Sequence, residues 1–363
     1  MKLLHFADLH LDAPFAWTKA ETARLRRRNR RETLTRILRL AVDERVDAVL
    51  SAGDLFEQER VSPDTVAFLR SSFASVPMPV FLAPGNHDWL SPQSPYLHVA
   101  WSPNVHLFVE DRLEPMSLAD GLTLWGAAHR APANTGDFFA GFRPDRGGIH
   151  IAVAHASERS VLPWQEAGKE PHAPFESSEL ESTGLAQAFL GHYHQPRDAE
   201  RFTYPGNPDP LEFGETGERG AVLATVAPDG AIERERRIVA VSEVHDLTVT
   251  LDGAVHADQV DEAVRSAIAG LSGCVRVTLV GEVAPSVAIE VRDLARLGDG
   301  LDELVVRIGT LATTYDLAGI EREATVRGEF VRSAARIEDP ALRRRVTLTG
   351  LRALEGRRDL EVA

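Results

Sequence analysis

Short apolar runs alternate with helical patterns through the first two-thirds of the chain. The apolar runs are rich in Leu and β-branched residues and are bounded by Gly, Pro, Asp or Asn, which is typical of buried strands. They occupy residues 2–7, 48–52, 80–83, 105–109, 122–125, 149–154, 186–190 and 221–226. A helical pattern covers about 20–44, and Ser62 followed by Pro63 predicts the start of a second helix. This alternation predicts an α/β protein with helices on the faces of its sheets.

The pattern changes near Val241. Strand candidates at 244–251 and 274–283 are separated by a helical pattern at 257–271, and residues 301–308 are predicted to form another helix. These segments predict a small α+β domain. The chain is therefore divided into a larger domain, a small domain and a helical, Arg-rich C-terminal tail, which span residues 1–240, 241–326 and 327–363.

The composition excludes two kinds of site. Cys274 is the only cysteine among 363 residues, which excludes an internal disulfide and a thiolate-rich metal site.

No apolar run approaches the roughly 18 residues of a membrane helix, and the N-terminal sequence lacks the pattern of a signal peptide. We therefore expect a cytoplasmic protein that does not associate with a membrane.

The chain is acidic, with a net charge of −14. This charge argues against a protein that grips DNA alone over a large area, because contacts to phosphates need cationic side chains. A catalytic subunit that holds divalent cations and works with a DNA-binding partner escapes this objection, since bound metals reverse the local charge.

Polar residues with metal-ligating side chains directly follow five of the predicted strands. They lie in the segments Asp8-Leu9-His10, Gly53-Asp54-Leu55-Phe56, Gly85-Asn86-His87-Asp88, His155 and Gly191-His192-Tyr193-His194. Functional groups gather at the carboxyl ends of strands in open α/β sheets, so these segments are expected to converge. Carboxylates suit hard cations and imidazoles suit Mn, Fe and Zn, so the mixture favours Mn²⁺ or a similar transition metal.

The spacing of these residues favours a pair of cations. Asp54 is the natural bridging ligand, since a carboxylate serves two metals more easily than a histidine does. Asp8 and His10 are two residues apart, as are His192 and His194, so each pair points the same way in extended backbone. Taken singly, Asn86 is also typical of a turn, and two neighbouring histidines are common in surface loops. The joint occurrence of all five segments favours the metal site.

In this order, the motifs DLH, GDLF, GNHD, a single His and GHYH resemble the calcineurin-like metallophosphoesterase superfamily. The resemblance covers about residues 1–210 and implies a four-layer β-sandwich flanked by helices, with two divalent metal ions. Mn²⁺ is the first choice, and Fe, Zn and Mg²⁺ are alternatives. It also implies one metal held by Asp8, His10, Asp54 and His194, and another held by Asp54, Asn86, His155 and His192. His87 would stabilise the transition state and protonate the leaving oxygen, and Asp88 would orient His87.

Within this superfamily, three features resemble the SbcD exonucleases and their YhaO-like relatives. They are Phe56 after GDL, the element Tyr204-Pro205-Gly206-Asn207-Pro208 with Leu211 to Glu215, and a small domain in the place of the capping domain. Asn207 stands where the family usually has Ser. The resemblance implies an Mn²⁺-dependent nuclease subunit in DNA repair, with 3′–5′ exonuclease and endonuclease activity by two-metal hydrolysis of phosphodiesters. It also implies an SMC-like ATPase partner of the SbcC or YhaN kind, and a homodimer.

Candidate DNA contacts lie in an arginine run and at one tryptophan. The run between Arg24 and Arg31 predicts either a phosphate-binding patch or a solvated helix face. Trp89 directly follows GNHD and is a candidate for stacking on a base. The residues assigned to DNA contact are Arg26, Arg27, Arg28, Arg30, Arg31 and Trp89.

Two other functions remain open on the sequence. The same metal ligands would serve a phosphoesterase that acts on cyclic nucleotides, nucleotides or phosphoproteins. A non-catalytic scaffold with the same fold is the third reading, but such proteins lose ligands, and every assigned position here carries a side chain that is able to bind a metal.

Overall fold

The computed structural model describes residues 1–160 and 171–355. The chain divides into two compact units, Met1–Val244 and His245–Ala363. The boundary lies four residues beyond the one expected from the sequence, which placed it after residue 240.

Two sheets form the centre of the first unit. Its helices and strands are, in chain order, β1 (Lys2–Phe6), α1 (Ala20–Asp43), β2 (Ala48–Ser51), α2 (Pro63–Ala74), β3 (Val80–Leu82), α3 (Pro95–His98), β4 (Val105–Leu107), β5 (Glu114–Ala119), β6 (Leu122–Gly126), β7 (Ile149–His155), α4 (Ser177–Thr183), β8 (Gln187–Gly191), β9 (Arg197–Asp198), β10 (Phe202–Tyr204), β11 (Gly220–Val226) and β12 (Ile232–Ile238). The strand order is β12-β11-β1-β2-β3-β4 in the first sheet and β5-β6-β7-β8-β10-β9 in the second.

The central strands of both sheets are parallel. β1 pairs with β2, β2 with β3 and β3 with β4 in parallel, while β11 joins β1 in antiparallel orientation. In the second sheet, β6, β7, β8 and β10 are parallel neighbours. The carboxyl ends of these strands therefore lie along one edge of each sheet, where loops carry polar residues without interrupting the ladder.

Apolar side chains hold the layers together. Leu50 and Phe81 of the first sheet share a buried cluster with Val153 and Phe189 of the second, so the two sheets pack face to face. Other buried clusters cover the outer faces, with α1 and α2 on the first sheet and α4 on the second. This confirms the predicted α/β layers flanked by helices.

The long helix α1 is stabilised mainly by packing. Its buried residues Leu34, Ile37, Leu38 and Ala41 recur at helical spacing and face the first sheet. At the start of α2, the Ser62 hydroxyl accepts a hydrogen bond from the Thr65 backbone N–H at 3.1 Å, as the sequence predicted.

The second unit has its own sheet and core. Its elements are β13 (Val244–Thr250), which begins at the last residue of the first unit, α5 (Ala257–Ile268), β14 (Cys274–Val283), α6 (Val291–Leu294), a 3₁₀ turn at Ala295–Leu297, β15 (Glu303–Thr313), α7 (Leu317–Glu321), α8 (Val326–Ala334) and α9 (Pro340–Leu354). The strand order is β13-β14-β15. Val264 of α5 packs with Val275 and Val277 of β14 in a separate buried cluster.

The predicted helix at 301–308 is wrong, because most of this segment belongs to β15. β15 pairs in parallel with β14 from Cys274–Glu303 to Val283–Thr313. Leu304 and Val306 are both buried while Val305 between them is half-buried, so burial here follows a strand period of two.

Helices α7, α8 and α9 share an apolar cluster of Tyr315, Ile320, Val331 and Leu351. The helical region therefore begins before residue 327, where the sequence placed the start of the tail. Residues 356–363 of that predicted tail lie outside the described residues. Within the described ranges, no helix is both long enough and apolar enough to cross a membrane.

Candidate metal centre

Five strand ends from the two sheets bring the predicted ligands to one place. The first sheet contributes residues after β1, β2 and β3, and the second contributes residues at the end of β7 and after β8. In this order the predicted ligands are Asp8 and His10, Asp54, Asn86, His155, and His192 and His194, and the predicted catalytic residue His87 lies next to Asn86. Asp8 and His194, which are far apart in the chain, therefore meet because two mixed sheets pack with the carboxyl ends of their parallel strands together.

Asp54 lies at the centre of this group. Its Oδ2 atom is 3.5 Å from Nε2 of His10 and 3.3 Å from Nε2 of His155. Nε2 of His155 is also 2.9 Å from Oδ1 of Asn86, and its Nδ1 is 4.0 Å from Oδ1 of Asp8. A carboxylate between two sets of ligands is placed to serve two cations, which is the position expected of Asp54.

His10 and His194 face each other through their Nε2 atoms, 3.2 Å apart. Nδ1 of His10 is 2.7 Å from Oε1 of Glu57, and Nδ1 of His194 is 2.7 Å from Oε1 of Glu215. Ionised carboxylates only accept hydrogen bonds, so both Nδ1 atoms carry protons. The two Nε2 atoms that face each other then both present lone pairs, so a proton or a metal ion must lie between them. The neighbouring carboxylates and imidazoles are ligands that suit a metal cation.

The tautomer of His155 is fixed in the same way. Its Nδ1 lies 2.9 Å from the carbonyl oxygen of Ala52, which only accepts, so Nδ1 donates. Nε2 is the nitrogen left to face Asp54 and Asn86. Outer partners that set the ring orientation of a metal-binding histidine are a regular feature of metal sites.

Four of the predicted ligands have left-handed backbone. The φ angles are 55° at Asp8, 46° at His10, 53° at Asp54 and 106° at His192. Residues with side chains adopt this region rarely, and such residues cluster at functional sites where surrounding contacts hold them. Here the contacts include the His192 N–H, which donates to Oδ1 of Asp8 at 3.0 Å.

Two glycines allow the ligand loops to approach each other. Gly53 has φ +89°, and a Cβ there would lie 2.6 Å from Nδ1 of His155 and 2.8 Å from the backbone of Gly85. At Gly85, a Cβ would lie 2.8 Å from the backbone N of Asp54. A side chain at either glycine would collide with His155, and it would therefore push this ligand of the second sheet away from the ligand loops of the first sheet.

His87 lies at the exposed side of the site, with 46% of its side chain accessible. Its Nδ1 is 2.9 Å from Oε2 of Glu57, the carboxylate that also contacts His10. Burial opposes protonation of His87, but the charges of Asp54 and Glu57 and the hydrogen bond to Glu57 raise its pKa to about 9. Burial alone would raise the pKa of Glu57, yet the hydrogen bonds from His10 and His87 lower it to about 2.

The expectation that Asp88 orients His87 is wrong. The Asp88 carboxylate is buried and accepts hydrogen bonds from the backbone N–H groups of Asp54 at 3.0 Å and Gly85 at 2.6 Å, and from the Tyr96 hydroxyl at 2.6 Å. It therefore ties the Asp54 loop to the GNHD loop. Glu57 is the carboxylate that contacts His87, because the loop after β2 brings it alongside the imidazole.

Asn207, which stands in place of a serine, belongs to a buried network behind His194. Its side-chain N–H donates to Oε2 of Glu215 at 2.6 Å, and its Oδ1 accepts a hydrogen bond from Arg219. Arg219 also donates to the backbone oxygens of His194 at 2.6 Å and Glu215 at 2.8 Å. The amide thus holds the carboxylate that sets the tautomer of His194.

A family model described as Calcineurin-like phosphoesterase matches residues 1–196, which is more than half of the chain. The chain belongs to this family. Its described residues include groups of side chains that could hold a metal ion, such as Asp8, His10 and His194. The Bacillus subtilis (strain 168) protein described as an uncharacterized metallophosphoesterase, YhaO, is 30% identical over 241 residues. That match covers 62% of this chain and 57% of the relative, so this chain spans less than two-thirds of the relative's length.

Two solved structures that are similar to this chain have low sequence identity to it. A Thermus thermophilus protein, TT1561, has 14% identity and a TM-score of 0.39, with 65% of this chain and 98% of that chain covered. A dimetal phosphatase from Danio rerio has 14% identity and a TM-score of 0.38, with 62% and 92% covered.

The arginine run is divided between the interior and the surface of the first unit. Arg26 and Arg30 are fully buried, with their guanidinium groups 5.5 and 5.6 Å from the centre of the Phe15 ring. Arg26 donates to the Pro210 carbonyl, and Arg30 donates to the Leu9 carbonyl between the first two ligands. The assignment of Arg26 and Arg30 to DNA contact is therefore wrong, because neither side chain reaches solvent.

The other candidates for DNA contact lie closer to the surface. Arg28 is exposed and Arg27 is half-buried, whereas Arg31 pairs with Asp64 at 2.5 Å. Trp89 is half-buried, two residues after His87. Arg27, Arg28, Arg31 and Trp89 remain predicted DNA contacts.

Glu57, Glu215 and His129 are parts of the site that the sequence did not reveal. Glu57 directly follows GDLF, and Glu215 ends the LEFGE element, so an acid near each ligand motif was the available signal. His129 lies in no motif. Its Nε2 is 2.6 Å from the carbonyl oxygen of His155, and its ring is 5.5 Å from that of His155.

Proposed function

We propose that this chain is the nuclease subunit of a DNA-repair assembly, and that it hydrolyses DNA phosphodiesters with two divalent cations, of which Mn²⁺ is the first choice. The observation that carries the proposal is the Asp54 carboxylate between His10 and His155, with His87 on the exposed side of the same group. Five buried and two half-buried ligands beside the exposed imidazole of His87 suit a substrate that is too large to enter a closed pocket.

The residues that would hold the cations fall into two sets that share Asp54. Asp8, His10 and His194 belong to one set, and Asn86, His155 and His192 to the other. Bound divalent cations supply positive charge for the phosphoryl oxygens and make hydroxide available near neutral pH. The side chains of this chain fix the ligand nitrogens through Glu57, Glu215 and the Ala52 carbonyl.

His87 would protonate the leaving oxygen of the phosphodiester. Its Nδ1 is occupied by Glu57, which leaves Nε2 as the nitrogen that gives a proton to the substrate. Burial opposes protonation of this ring, but the charges of Asp54 and Glu57 and the hydrogen bond to Glu57 raise the pKa of His87, which favours the protonated form at neutral pH. A deoxyribose oxygen is a poor leaving group, so its protonation matters for DNA.

Two features support DNA over a small phosphate ester. The sequence element from Tyr204 to Glu215 resembles the SbcD nucleases, and its Asn207 and Glu215 lie directly behind His194. The second compact unit follows the metal-binding unit, as a capping domain does in that family. We propose that this unit restricts which DNA reaches the metals.

We also propose an SMC-like ATPase partner of the SbcC or YhaN kind, and a homodimer. The support is the resemblance to SbcD together with the net charge of −14, which favours a partner that supplies the cationic DNA grip. Adding the partner should raise the affinity for duplex DNA and make that affinity fall more steeply with added salt, because each new cationic contact to a phosphate releases counterions. Equal affinity with and without the partner would contradict this part of the proposal.

The test compares substrates with the purified full chain and Mn²⁺. The substrates are linear duplex DNA, single-stranded DNA, bis-p-nitrophenyl phosphate and 2′,3′-cyclic AMP, and Asp54→Asn serves as the variant without a bridging carboxylate. We expect DNA to be degraded from its 3′ ends by the wild type and not by Asp54→Asn. Fast turnover of the cyclic nucleotide without cleavage of either DNA would instead favour a small-molecule phosphodiesterase.

A further inference from the structure

His129 connects ligand loops that arise from different sheets. It follows β6 of the second sheet, and its side chain is fully buried. Its backbone N–H donates to the Pro84 carbonyl at 3.0 Å, and its carbonyl accepts from the Leu90 N–H at 2.8 Å. Pro84 and Leu90 bracket the loop after β3 that carries Asn86, so the backbone of His129 holds both ends of that loop.

The side chain of His129 reaches the other ligand loop. Nε2 lies 2.6 Å from the carbonyl oxygen of His155, and Nδ1 lies 2.9 Å from the Thr135 hydroxyl. A carbonyl oxygen only accepts, so Nε2 donates. In the neutral ring Nδ1 is then an acceptor, and Thr135 donates to it. Thr135 thus selects the tautomer that His155 needs.

The bond from His129 acts on the second set of ligands. His155 is the last residue of β7, where the ladder to β8 ends at the His155–Gly191 pair. Nε2 of His155 faces Oδ1 of Asn86 at 2.9 Å, so the loop held by the His129 backbone and the loop held by its ring supply neighbouring ligands. A shift of either loop would change the distance between Asn86 and His155.

We propose that His129 is a positioning residue that sets the separation of Asn86 and His155, and through it the affinity of one of the two cation sites; this inference rests on the proposed two-metal function. Thr135 supports this role, because its hydrogen bond to Nδ1 keeps the Nε2 proton of His129 facing the His155 carbonyl. Outer partners of metal ligands change metal affinity by about 10–100-fold when they are removed.

Substitutions of the side chain test this role, because the backbone bonds to Pro84 and Leu90 survive in every variant. His129→Phe keeps a buried ring that still packs against Phe138, whose ring is 5.5 Å away, but removes the donor. His129→Gln places an amide N–H near the position of Nε2, whereas His129→Asn is too short to reach the His155 carbonyl. Thr135→Val removes the hydroxyl while it keeps the shape.

His150 provides a matched control. It is a buried histidine of β7 with the same bonding pattern, since Nε2 lies 3.0 Å from the Arg146 carbonyl and Nδ1 accepts from Trp125 at 3.2 Å. None of its bonds involves a predicted ligand. His150→Phe therefore measures the cost of losing such a histidine elsewhere in the second sheet.

The experiment is a titration of each full-length variant with Mn²⁺, read by metal analysis and by electron paramagnetic resonance, which separates a coupled Mn²⁺ pair from an isolated ion. Wild type and His150→Phe should bind two ions. His129→Phe should weaken one site by about 10–100-fold and show the isolated-ion spectrum. His129→Gln should restore the pair, His129→Asn should not, and Thr135→Val should weaken the same site.

The contrary results are distinct from a failure of the nuclease proposal. If His129→Phe binds Mn²⁺ at both sites with wild-type affinity, the positioning role is overturned. The same holds if His129→Gln and His129→Asn lose Mn²⁺ affinity to the same extent. If His129→Phe does not fold, unchanged Mn²⁺ affinity in Thr135→Val would overturn it. A wild-type chain that binds the Mn²⁺ pair but cleaves no DNA would contradict the nuclease function and leave the role of His129 standing.

Discussion

At the scale of single residues, the site depends on which nitrogen of each histidine carries a proton. Glu57 and Glu215 accept hydrogen bonds from the Nδ1–H groups of His10 and His194, which leaves both Nε2 atoms free to face the proposed cation positions. The ligand types were predictable because each follows a strand in a recognisable motif. Glu57 and Glu215 were not, because a carboxylate that acts through a histidine is identified only by where its loop folds.

The buried arginines give the first prediction at this scale. Replacing Arg30 by Met removes the hydrogen bonds to the carbonyls of Leu9 and Asp209 inside the protein. Since unpaired buried groups are costly, we expect the free energy of unfolding to fall by about 3 kcal/mol. Arg28→Ala at the exposed surface should change it by less than about 0.5 kcal/mol.

Chemical denaturation of both variants measures this difference. DNA affinity measured in parallel separates a structural role from a DNA contact. An Arg30→Met protein that is as stable as the wild type but binds DNA more weakly would restore the original assignment of this arginine to DNA contact.

The second residue-scale prediction concerns His87 as the acid. His87→Asn should lower kcat by about 10²–10⁴-fold for a substrate with an alkyl or nucleoside leaving group. The effect should be much smaller for bis-p-nitrophenyl phosphate, because p-nitrophenolate leaves without protonation. His87 lies near enough to His10 and Asp54 to share a metal ion with them, but its Nδ1 contacts Glu57 and neither proposed ligand set includes it, so Mn²⁺ content should stay at the wild-type value. Equal losses of kcat for both substrates would argue against proton donation by His87.

At the scale of helices and strands, the hydrophobic pattern predicted the central strands well and the edges poorly. β1, β2, β7 and β8 are buried on both faces, so they appear as continuous apolar runs. β12 was not predicted, because its sequence IERERRI is charged and it is stabilised by pairing with β11 at the sheet edge. β15 was predicted as a helix, since the sequence LDELVVRI fits both the helical and the strand period. Only its pairing with β14 shows that the segment is a strand.

The turn after β2 gives the element-scale prediction. Gly53 and Gly121 both have positive φ, +89° and +76°, but a Cβ at Gly53 meets His155 and Gly85 while a Cβ at Gly121 meets nothing within 4 Å. Gly121→Ala should therefore cost only the strain of left-handed backbone, about 1 kcal/mol. Gly53→Ala should cost about 3 kcal/mol or more and should impair Mn²⁺ binding.

Thermal unfolding and a Mn²⁺ titration of the two alanine variants make this comparison. Both variants carry the backbone strain of a positive φ. The difference in their stability therefore measures the cost of crowding between the ligand loops at Gly53. If the two variants lose the same stability and both keep full Mn²⁺ binding, crowding at Gly53 does not shape the site.

At the scale of the whole molecule, the candidate metal ligands meet because two sheets pack face to face with the carboxyl ends of their parallel strands together. The sequence pattern predicted α/β layers, but only the resemblance to a known family implied two stacked sheets, because strands that are apolar on both faces do not show what covers them. The packing between the sheets encloses His5, which is fully buried and lies 3.1 Å from the Leu190 carbonyl through Nε2.

His5 gives a prediction for stability against pH. Burial lowers the pKa of His5 to about 3, below its value of about 6.5 in the unfolded chain. The unfolded chain then binds the additional proton, so this contribution to stability is complete above about pH 6.5 and is lost as the pH falls towards 3. His5→Gln keeps a hydrogen-bonding side chain but does not titrate.

The free energy of unfolding, measured by denaturant at several values between pH 7.5 and 4.5, tests this. The stability of the wild type relative to His5→Gln should decline by up to a few kcal/mol over this interval, at about 1.4 kcal/mol per pKa unit. A difference between the two proteins that stays constant with pH would show that His5 is not kept neutral by burial.

The most direct measurement is a crystal structure of the full chain with Mn²⁺ and an anomalous difference map at the manganese absorption edge. We predict two peaks, both in contact with the Asp54 carboxylate, one beside His10 and His194 and the other beside His155 and Asn86. A map without peaks at Asp54, or with manganese bound only elsewhere on the protein, would contradict the account.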